Sequence, residues 1–415
     1  MSMAYEVVDR LSLWWLADPA QPAFVGALNL VKTGARGVSL TYAAAWRSKG
    51  FALSEDLPLS DLEHLPTEKD AAAGAVDDAR PDRWGERVIR HIDRPPRLST
   101  LEMLYFAGDD RFGALGVSVS DAEYVPRYRG ALPHLADVDA LHQLVQQVLR
   151  GLPVAEAQRR LLAPGTLGGA RPKALVEIDG AQWVLKFAEE DMSAEPLAEH
   201  AAMTLAARAG IHVAHTRPVP FGRGRAAVAV RRFDREAGGR RVHALSAHVA
   251  LRAAAAELSY PELAQLLRRR GPTEGDQNRR QMAELFRRMV FNILIDNTDD
   301  HEKNHVLLVR PDQQLVLSPA FDVVPTGQSL GYQSMVVGER GAESSIDNAL
   351  SLSRQFWLEP KAALAHAADV ARVVDGWRAH FTQAGVPAEL VERLGAAIDR
   401  PFLREQRAGL LRAGR

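Results

Sequence analysis

From Gln281 to Asp296 the chain sets Met282, Leu285, Phe286, Met289, Ile293 and Leu294 on one side of a helical repeat. That spacing predicts an amphipathic helix buried along one face. Its apolar pattern stops in NTDD at residues 297–300, which are cap and turn formers, and a short β-like run begins directly after His305. His305–Val309 and Gln314–Leu317, flanking Pro311-Asp312, then read as a small hairpin. The chain must therefore place a polar loop between its longest apolar helix and a hairpin.

That loop, NTDDHEKNHVLL at 297–308, spells two motifs with different chemistry. His301, Glu302 and His305 form H-E-x-x-H, which on a helix is a zinc site with its own general base. The zinc reading needs continuous helix through both histidines, because positions i and i+4 share a face only while the helical period holds. It also needs a third ligand, for which only carboxylates such as Asp312 or Asp322 are at hand. In the second frame Asp299 and Asn304 form D-x-x-x-x-N, the spacing of a phosphoryl-transfer loop. There Asp299 would take or orient the proton of an attacking hydroxyl, and Asn304 would offer its amide oxygen to Mg2+. Asp322, in SPAFDVVPT, would be the second metal ligand. Magnesium prefers oxygen donors and keeps several waters, so Asn, Asp and nucleotide phosphates suffice. Upstream, WVLKF places Lys186 inside a strand, where an ammonium is out of place unless it reaches an anion. The order of Gly-rich loop, Lys, Asp-x4-Asn and Asp favours phosphoryl transfer.

Along the chain, Phe24–Leu30 and Gly37–Tyr42 predict a hairpin joined by VKTGAR. Asp82 or Pro81 starts a helix carrying Trp84, Val88 and Ile89, a second helix runs from Ser99 to Phe106, and a third lies at 136–149. Strands are expected at Ala174–Ile178 and Gln182–Phe187 around the Asp179-Gly180 turn, then a helix at Pro196–Gly210. Further strands are expected near Val213–Val219 and Ala226–Phe233, and almost wholly helical structure from Asp234 to the motif. From about Lys361 the chain is helical again. This pattern predicts an α+β, bilobal protein-kinase-like fold: a small β-rich N-terminal domain (1–130), an ATP-binding lobe (131–235) and a mostly α-helical C-terminal lobe (236–415).

Composition narrows the classes. The 415 residues are 47% hydrophobic and 25% charged, ordinary globular values, with no apolar run long enough for a membrane span. Cysteine is absent, which excludes disulfides, thiolate metal sites and cysteine nucleophiles. The N-terminus MSMAYEVVDR carries no visible secretory signal, so a cytoplasmic location is expected. Fifty-one basic against fifty-two acidic residues give no global attraction to nucleic acid. The Arg-rich stretches 266–270 and 279–288 read as solvated helix faces.

The motifs GGARPKA (168–174), WVLKF (183–187), RRFDR (231–235), NTDDHEKNHVLL (297–308) and LSPAFDVVPT (317–326) resemble those of the HipA family. These are toxin serine/threonine kinases, the kinase halves of bacterial toxin–antitoxin pairs. PDRWGERVI (81–89) and FGALGV (112–117) resemble that family's first domain. The resemblance implies an ATP- and Mg2+-dependent protein serine/threonine kinase, with Asp299 catalytic and Asn304 and Asp322 holding metal. It implies that Lys186 contacts nucleotide phosphates, that Gly168 and Gly169 belong to the Gly-rich loop, and that the main chain at Arg231, Arg232 and Phe233 forms an adenine hinge. Asp234 would anchor that hinge, and His301 would shape the catalytic loop. Family members phosphorylate a serine seven residues before the lysine that matches Lys173, and so switch themselves off. Here that position is Thr166, followed by Leu167 where proline is expected. Lys173 either pairs with a neighbouring acid or touches phosphate.

Partners implied are a small helix-turn-helix, HipB-like antitoxin, a protein substrate, and DNA reached through the antitoxin complex, with no membrane. Alternatives are a small-molecule phosphotransferase of the aminoglycoside type and, further off, an H-E-x-x-H zinc hydrolase.

Overall fold

The computed structural model describes residues 5–413 apart from 129, 156–157, 159–160, 163–168, 190–193 and 223. Thr166 and Gly168 lie outside the described residues. The chain divides into two compact units, Met1–Glu189 with Arg231–Leu245, and Glu190–Val230 with Ser246–Arg415.

The first unit is built on β1 (Arg10–Trp15), β2 (Ala23–Val31), β3 (Gly37–Tyr42), β4 (Ala71–Ala72) and β5 (Leu115–Ser118), in the order β4-β3-β2-β1-β5. The expected β2–β3 hairpin is antiparallel, with Gly26 opposite Tyr42 and Val31 opposite Gly37. Gly26 is required there, because a Cβ would lie 2.2 Å from the Thr41 carbonyl oxygen. Strands β1 and β5 were not expected from the sequence: LSLW of β1 and all of LGVS are buried, the small Ser12, Gly116 and Ser118 alternating with Leu11, Leu13, Leu115 and Val117. The unit also carries the α-helices α1 (Ala44–Lys49), α2 (Arg83–Val88), α3 (Thr100–Phe106) and α4 (Val138–Leu149). Asp82 caps α2 by accepting from Gly85 N at 2.7 Å, and Ser99 with Glu102 forms a capping box on α3. The stripe Val138, Leu141, Leu144, Val145 and Val148 buries α4. The β6 (Lys173–Ile178) and β7 (Ala181–Lys186) hairpin closes through Asp179 and Gly180, with φ of 52° and 71°. Two successive left-handed residues match the twist of paired strands.

The second unit contains α5 (Glu195–Arg208) and the antiparallel hairpin of β8 (Thr216–Phe221) and β9 (Arg225–Arg231), whose last residue passes into the first unit. The short β10 (Ala244–Ser246), of which only Ser246 belongs to this unit, interrupts the helix expected between Asp234 and the motif. The unit continues with α6 (Ala247–Ala253), α7 (Tyr260–Arg270) and α8 (Gln277–Leu294), then the hairpin of β11 (Val306–Val309) and β12 (Leu315–Leu317). It ends with α9 (Ile346–Ser351), α10 (Pro360–Val374), α11 (Trp377–Gln383), α12 (Ala388–Ile398) and α13 (Pro401–Ala413). Helix α8 is the centre of this unit and packs against α7 and α10. Its predicted apolar face is fully buried, together with the polar Gln281, Arg288 and Asn292. Those polar groups are used: Gln281 Oε1 accepts from Leu317 N at 2.5 Å, and Arg288 donates to Ser318 O at 2.7 Å, fastening the β11–β12 hairpin to the helix. Among the described residues no helix is long and apolar enough to cross a membrane.

Candidate functional site

The catalytic-looking loop is shaped by how α8 ends. Asp296 takes the left-handed conformation (φ 57°) that usually falls to glycine, and Asn297 N donates back to Asn292 O at 2.9 Å. This is the 6→1 closure of a Schellman-type helix end. A left-handed non-glycine residue costs about 1 kcal/mol. Asp296 offsets that cost with its contacts: its carbonyl accepts from Thr326 N (3.0 Å) and Thr326 Oγ1 (2.9 Å), its Oδ2 from Ser329 N (3.0 Å), and its Oδ1 pairs with Arg400.

After Asp296 the loop carries Asp299 exposed and Asp300 buried. Asp300 Oδ2 accepts from Tyr260 Oη, from Asn292 Nδ2 at 2.8 Å and from His305 Nε2 at 2.8 Å. The loop is thus tied to the start of α7, to α8 and to the root of β11. Burial alone would raise the Asp300 pKa, but the charge and hydrogen bond of His305 with the Tyr260 hydroxyl hold it below the usual carboxylate value. Glu302 is likewise held low, at about 2: burial works upward, and the His248 hydrogen bond of 2.7 Å leads the opposing effects.

Residues Glu302–Asn304 form a single 3-10 turn and His305 is extended (φ −110°, ψ 121°). The α-helix that an H-E-x-x-H zinc site requires is therefore not formed, and His305 Nε2 is committed to Asp300. The turn brings Asn304 back onto Asp299: Asn304 Nδ2 donates to Asp299 O at 3.3 Å, and Asn304 N donates to His301 O at 2.9 Å. That orientation leaves Asn304 Oδ1 buried without a hydrogen-bond partner. A buried amide oxygen in that state costs about 1–3 kcal/mol unless something else is bound to it. His301 is half-buried, and its Nδ1 is likewise buried without a partner.

Asp322 is partly buried and left-handed (φ 57°), between the buried Phe321 and Val323. Phe321 and Val323 line the same small cavity as Asn304, Asp300, Asn292 and Arg288. The Asn304 loop and the Asp322 loop therefore meet within one unit. Their donors, an amide oxygen and a carboxylate, fit a hard divalent cation such as Mg2+.

The remaining expected residues belong to the first unit. Lys186 is 5% exposed at the end of β7, directly opposite Lys173 of β6. Lys173 pairs with Asp82 at 2.6 Å, the acid partner of one of its two readings, and also donates to Gly169 O at 3.2 Å. Trp84 Nε1 donates to Lys173 O at 2.8 Å, which locks α2 to β6. Arg231 is exposed at the end of β9, Phe233 is half-buried against Phe112, and Arg232 N donates to Gln182 O at 3.0 Å. The Arg232 side chain is buried: it grips Asp234 through Nε (2.9 Å) and Nη2 (2.7 Å) and donates to the carbonyls of Asp110 and Arg111. Asp234 also accepts from Arg235 (2.8 Å) and Gly113 N (2.9 Å). Sequence reasoning missed Asp296, Asp300, Tyr260, Asn292 and Arg400. The adjacent pair Asp299-Asp300 was a local hint for one of them; Arg400 had none.

Comparison with known proteins bears on the family and the fold. Residues 165–377 match the HipA-like C-terminal domain and residues 20–118 the HipA N-terminal domain. The chain is similar in structure to HipA of the Shewanella oneidensis MR-1 toxin antitoxin system, solved as a complex of HipA, HipB and its operator DNA. Identity is 19% and the TM-score 0.64, over 96% of this chain and 99% of that one. A second likeness, to the Helicobacter pylori proinflammatory kinase CtkA, has 12% identity and a TM-score of 0.44 over 59% of this chain and 93% of that one. No curated protein sequence matches the chain. The C-terminal domain match alone spans more than half of the 415 residues, the N-terminal one covers most of the β-rich start, and the fold agrees over nearly the full length: the chain belongs to the HipA family.

Proposed function

We propose that this chain is an ATP- and Mg2+-dependent protein serine/threonine kinase, the toxin of a toxin–antitoxin pair. The observation that carries the reading is the buried, unpartnered Asn304 Oδ1, held by a turn that returns it to the main chain of the exposed Asp299. An oxygen left bare beside an accessible carboxylate suits a loop that handles a metal-bound phosphate and a hydroxyl nucleophile.

In this reading the hydroxyl oxygen of a protein serine or threonine attacks the γ-phosphorus of ATP. The bond from that phosphorus to the β–γ bridging oxygen breaks, ADP leaves with the electron pair, and the hydroxyl proton passes to Asp299. Asn304 and Asp322 would hold the metal, which supplies charge neutralisation on the phosphates when bound. Lys186 offers an ammonium to the nucleotide phosphates, Gly168 and Gly169 provide main-chain approach, and the main chain at Arg231, Arg232 and Phe233 provides the adenine hinge. His301 shapes the loop from within. Thr166 is the autophosphorylation candidate; a phosphate of about −2 charge there would compete for the cations that hold ATP. The Shewanella structure holds HipA together with HipB and operator DNA. That assembly supports a small HipB-like antitoxin as partner here, with DNA contact through the complex and a cytoplasmic site of action.

The test is expression of wild type and Asp299→Asn in bacteria, with γ-labelled ATP and purified protein alongside. The proposal expects growth arrest and protein-bound label with the first and neither with the second. Equal growth of both strains, or label on a small-molecule acceptor but never on protein, would sink it. Label on Thr166 would separate the toxin reading from a small-molecule phosphotransferase.

A further inference from the structure

The loops bearing Asn304 and Asp322 are joined by Asp296, and Asp296 is joined to Arg400. Asp296 is 0% exposed, and each of its polar oxygens is used. Its carbonyl takes the main-chain and hydroxyl protons of Thr326, its Oδ2 takes the Ser329 amide, and its Oδ1 takes the Arg400 guanidinium. Because the Thr326 hydroxyl donates to Asp296, the 2.8 Å contact between Thr298 Oγ1 and Thr326 Oγ1 has Thr298 as donor. Ser334 Oγ then donates to Thr298 O at 3.0 Å. Residues 296–298 are thereby laced to residues 326–334, one side of the lacing lying just before Asp299 and the other just after Asp322. Arg400 stands between α12 and α13, past the end of the matched C-terminal domain at residue 377.

We infer that Arg400 and Asp296 are a positioning pair that sets the spacing of the two metal-holding loops, so that the C-terminal helices belong to the site's support. This rests on the proposed kinase reading. The physical reason is that Asp296 is both buried and left-handed. Its backbone conformation persists only while the surroundings over-determine it, and its buried carboxylate needs a cation. Removing the Arg400 charge frees Asp296, and with it the Thr326–Ser329 loop that follows Asp322.

The experiment uses full-length protein, a non-hydrolysable ATP analogue, and Mn2+ as the metal probe, read by electron paramagnetic resonance. The melting temperature is measured without metal. Arg400→Gln is expected to weaken Mn2+ uptake roughly tenfold, the scale of outer-shell losses at metal sites, while Arg400→Lys regains most of it. Arg378→Gln is the control, since Arg378 makes more exposed ion pairs with Asp399 and Glu392 at 2.7 Å without touching Asp296. It is expected to lower the melting temperature and leave Mn2+ affinity unchanged. If Arg400→Gln does not fold, Thr326→Val removes the hydroxyl link alone and is expected to weaken Mn2+ uptake in the same direction. Wild-type affinity in both Arg400→Gln and Thr326→Val, or equal loss in Arg378→Gln, would overturn the inference and leave the kinase reading intact. A wild-type chain that takes up no Mn2+ with nucleotide would overturn both.

Discussion

Asp234 and Asp300 are both buried carboxylates inside motifs legible in the sequence, RRFDR in one unit and NTDDHEKN in the other, and they are satisfied in contrasting ways. Asp234 meets two guanidinium groups, those of Arg232 and Arg235, and a main-chain amide. Burial would raise its pKa, yet the two arginines hold it far below the usual carboxylate value. Around it, carbonyls of residues 110–113 absorb spare donors of Arg232 and Arg235. The motif is closed: charge meets charge, and the product is a weld between Asp110, Arg111 and Gly113 and the chain at 232–235. Asp300 instead collects a hydroxyl, an amide and an imidazole. Its neighbours Asn304 and His301 keep buried atoms without partners. The difference is that the charges of the first motif are used up within the fold, whereas the second keeps Asn304 Oδ1 and His301 Nδ1 buried without partners beside the exposed Asp299.

The largest effect expected to sharpen this contrast is Asp299→Asn, which should lower phosphoryl transfer by about 10²–10⁴-fold. Because Asp299 is exposed, its unfolding free energy should stay within about 0.5 kcal/mol of wild type. Parallel kinetics and urea titration check both halves. Asp234→Ala should do the reverse: about 3–5 kcal/mol of stability lost, because two buried arginines are left uncompensated. If Asp234→Ala unfolds at the wild-type urea midpoint, Asp234 welds nothing. Asp300→Asn is expected to be milder, about 1–3 kcal/mol, since the amide oxygen can take the place of Oδ2 before its three donors and what is lost is the carboxylate charge facing His305. Hydrogen exchange should then rise across 297–305 and not across 231–235.

Acid titration gives the smallest effect. The Glu302 carboxyl is held at about 2 against an ordinary 4.5. Its folded value is depressed, so its contribution is complete above pH 4.5 and drains as the pH falls toward about 2. The stability gap between wild type and Glu302→Gln, on the order of 1 kcal/mol after solvent screening, should be flat above pH 5 and shrink below it. A gap that widened on acidification would show that His248 does not hold Glu302.

Much of the local structure was legible in the residues. The α8 stripe, the Asp82 and Ser99 caps, the Asp179-Gly180 turn and the β11–β12 hairpin each follow from side-chain spacing or turn chemistry within a few residues. Strands β1 and β5 were hidden because each alternates only over a short run, Arg10–Leu13 and Leu115–Ser118, and β10 because three residues carry too little pattern. In the candidate site, the Asp299–Asn304 offset was readable because a tight turn is a local object. Which of Asp299 and Asp300 faces solvent was a matter of tertiary packing, decided by Tyr260 and Asn292.

By itself, then, the order of residues determined the longer helices and the hairpins, the loop that carries Asp299 and Asn304, and a carboxylate downstream at Asp322. Only the tertiary structure decided that Lys173 belongs to Asp82, that Asp300 is a hub, and that Arg400 answers Asp296 across 104 positions. Helices and turns are governed by neighbours along the chain, whose interactions survive at short separation. The partner of a buried charge is whichever opposite group the completed fold brings beside it, and no periodicity announces that.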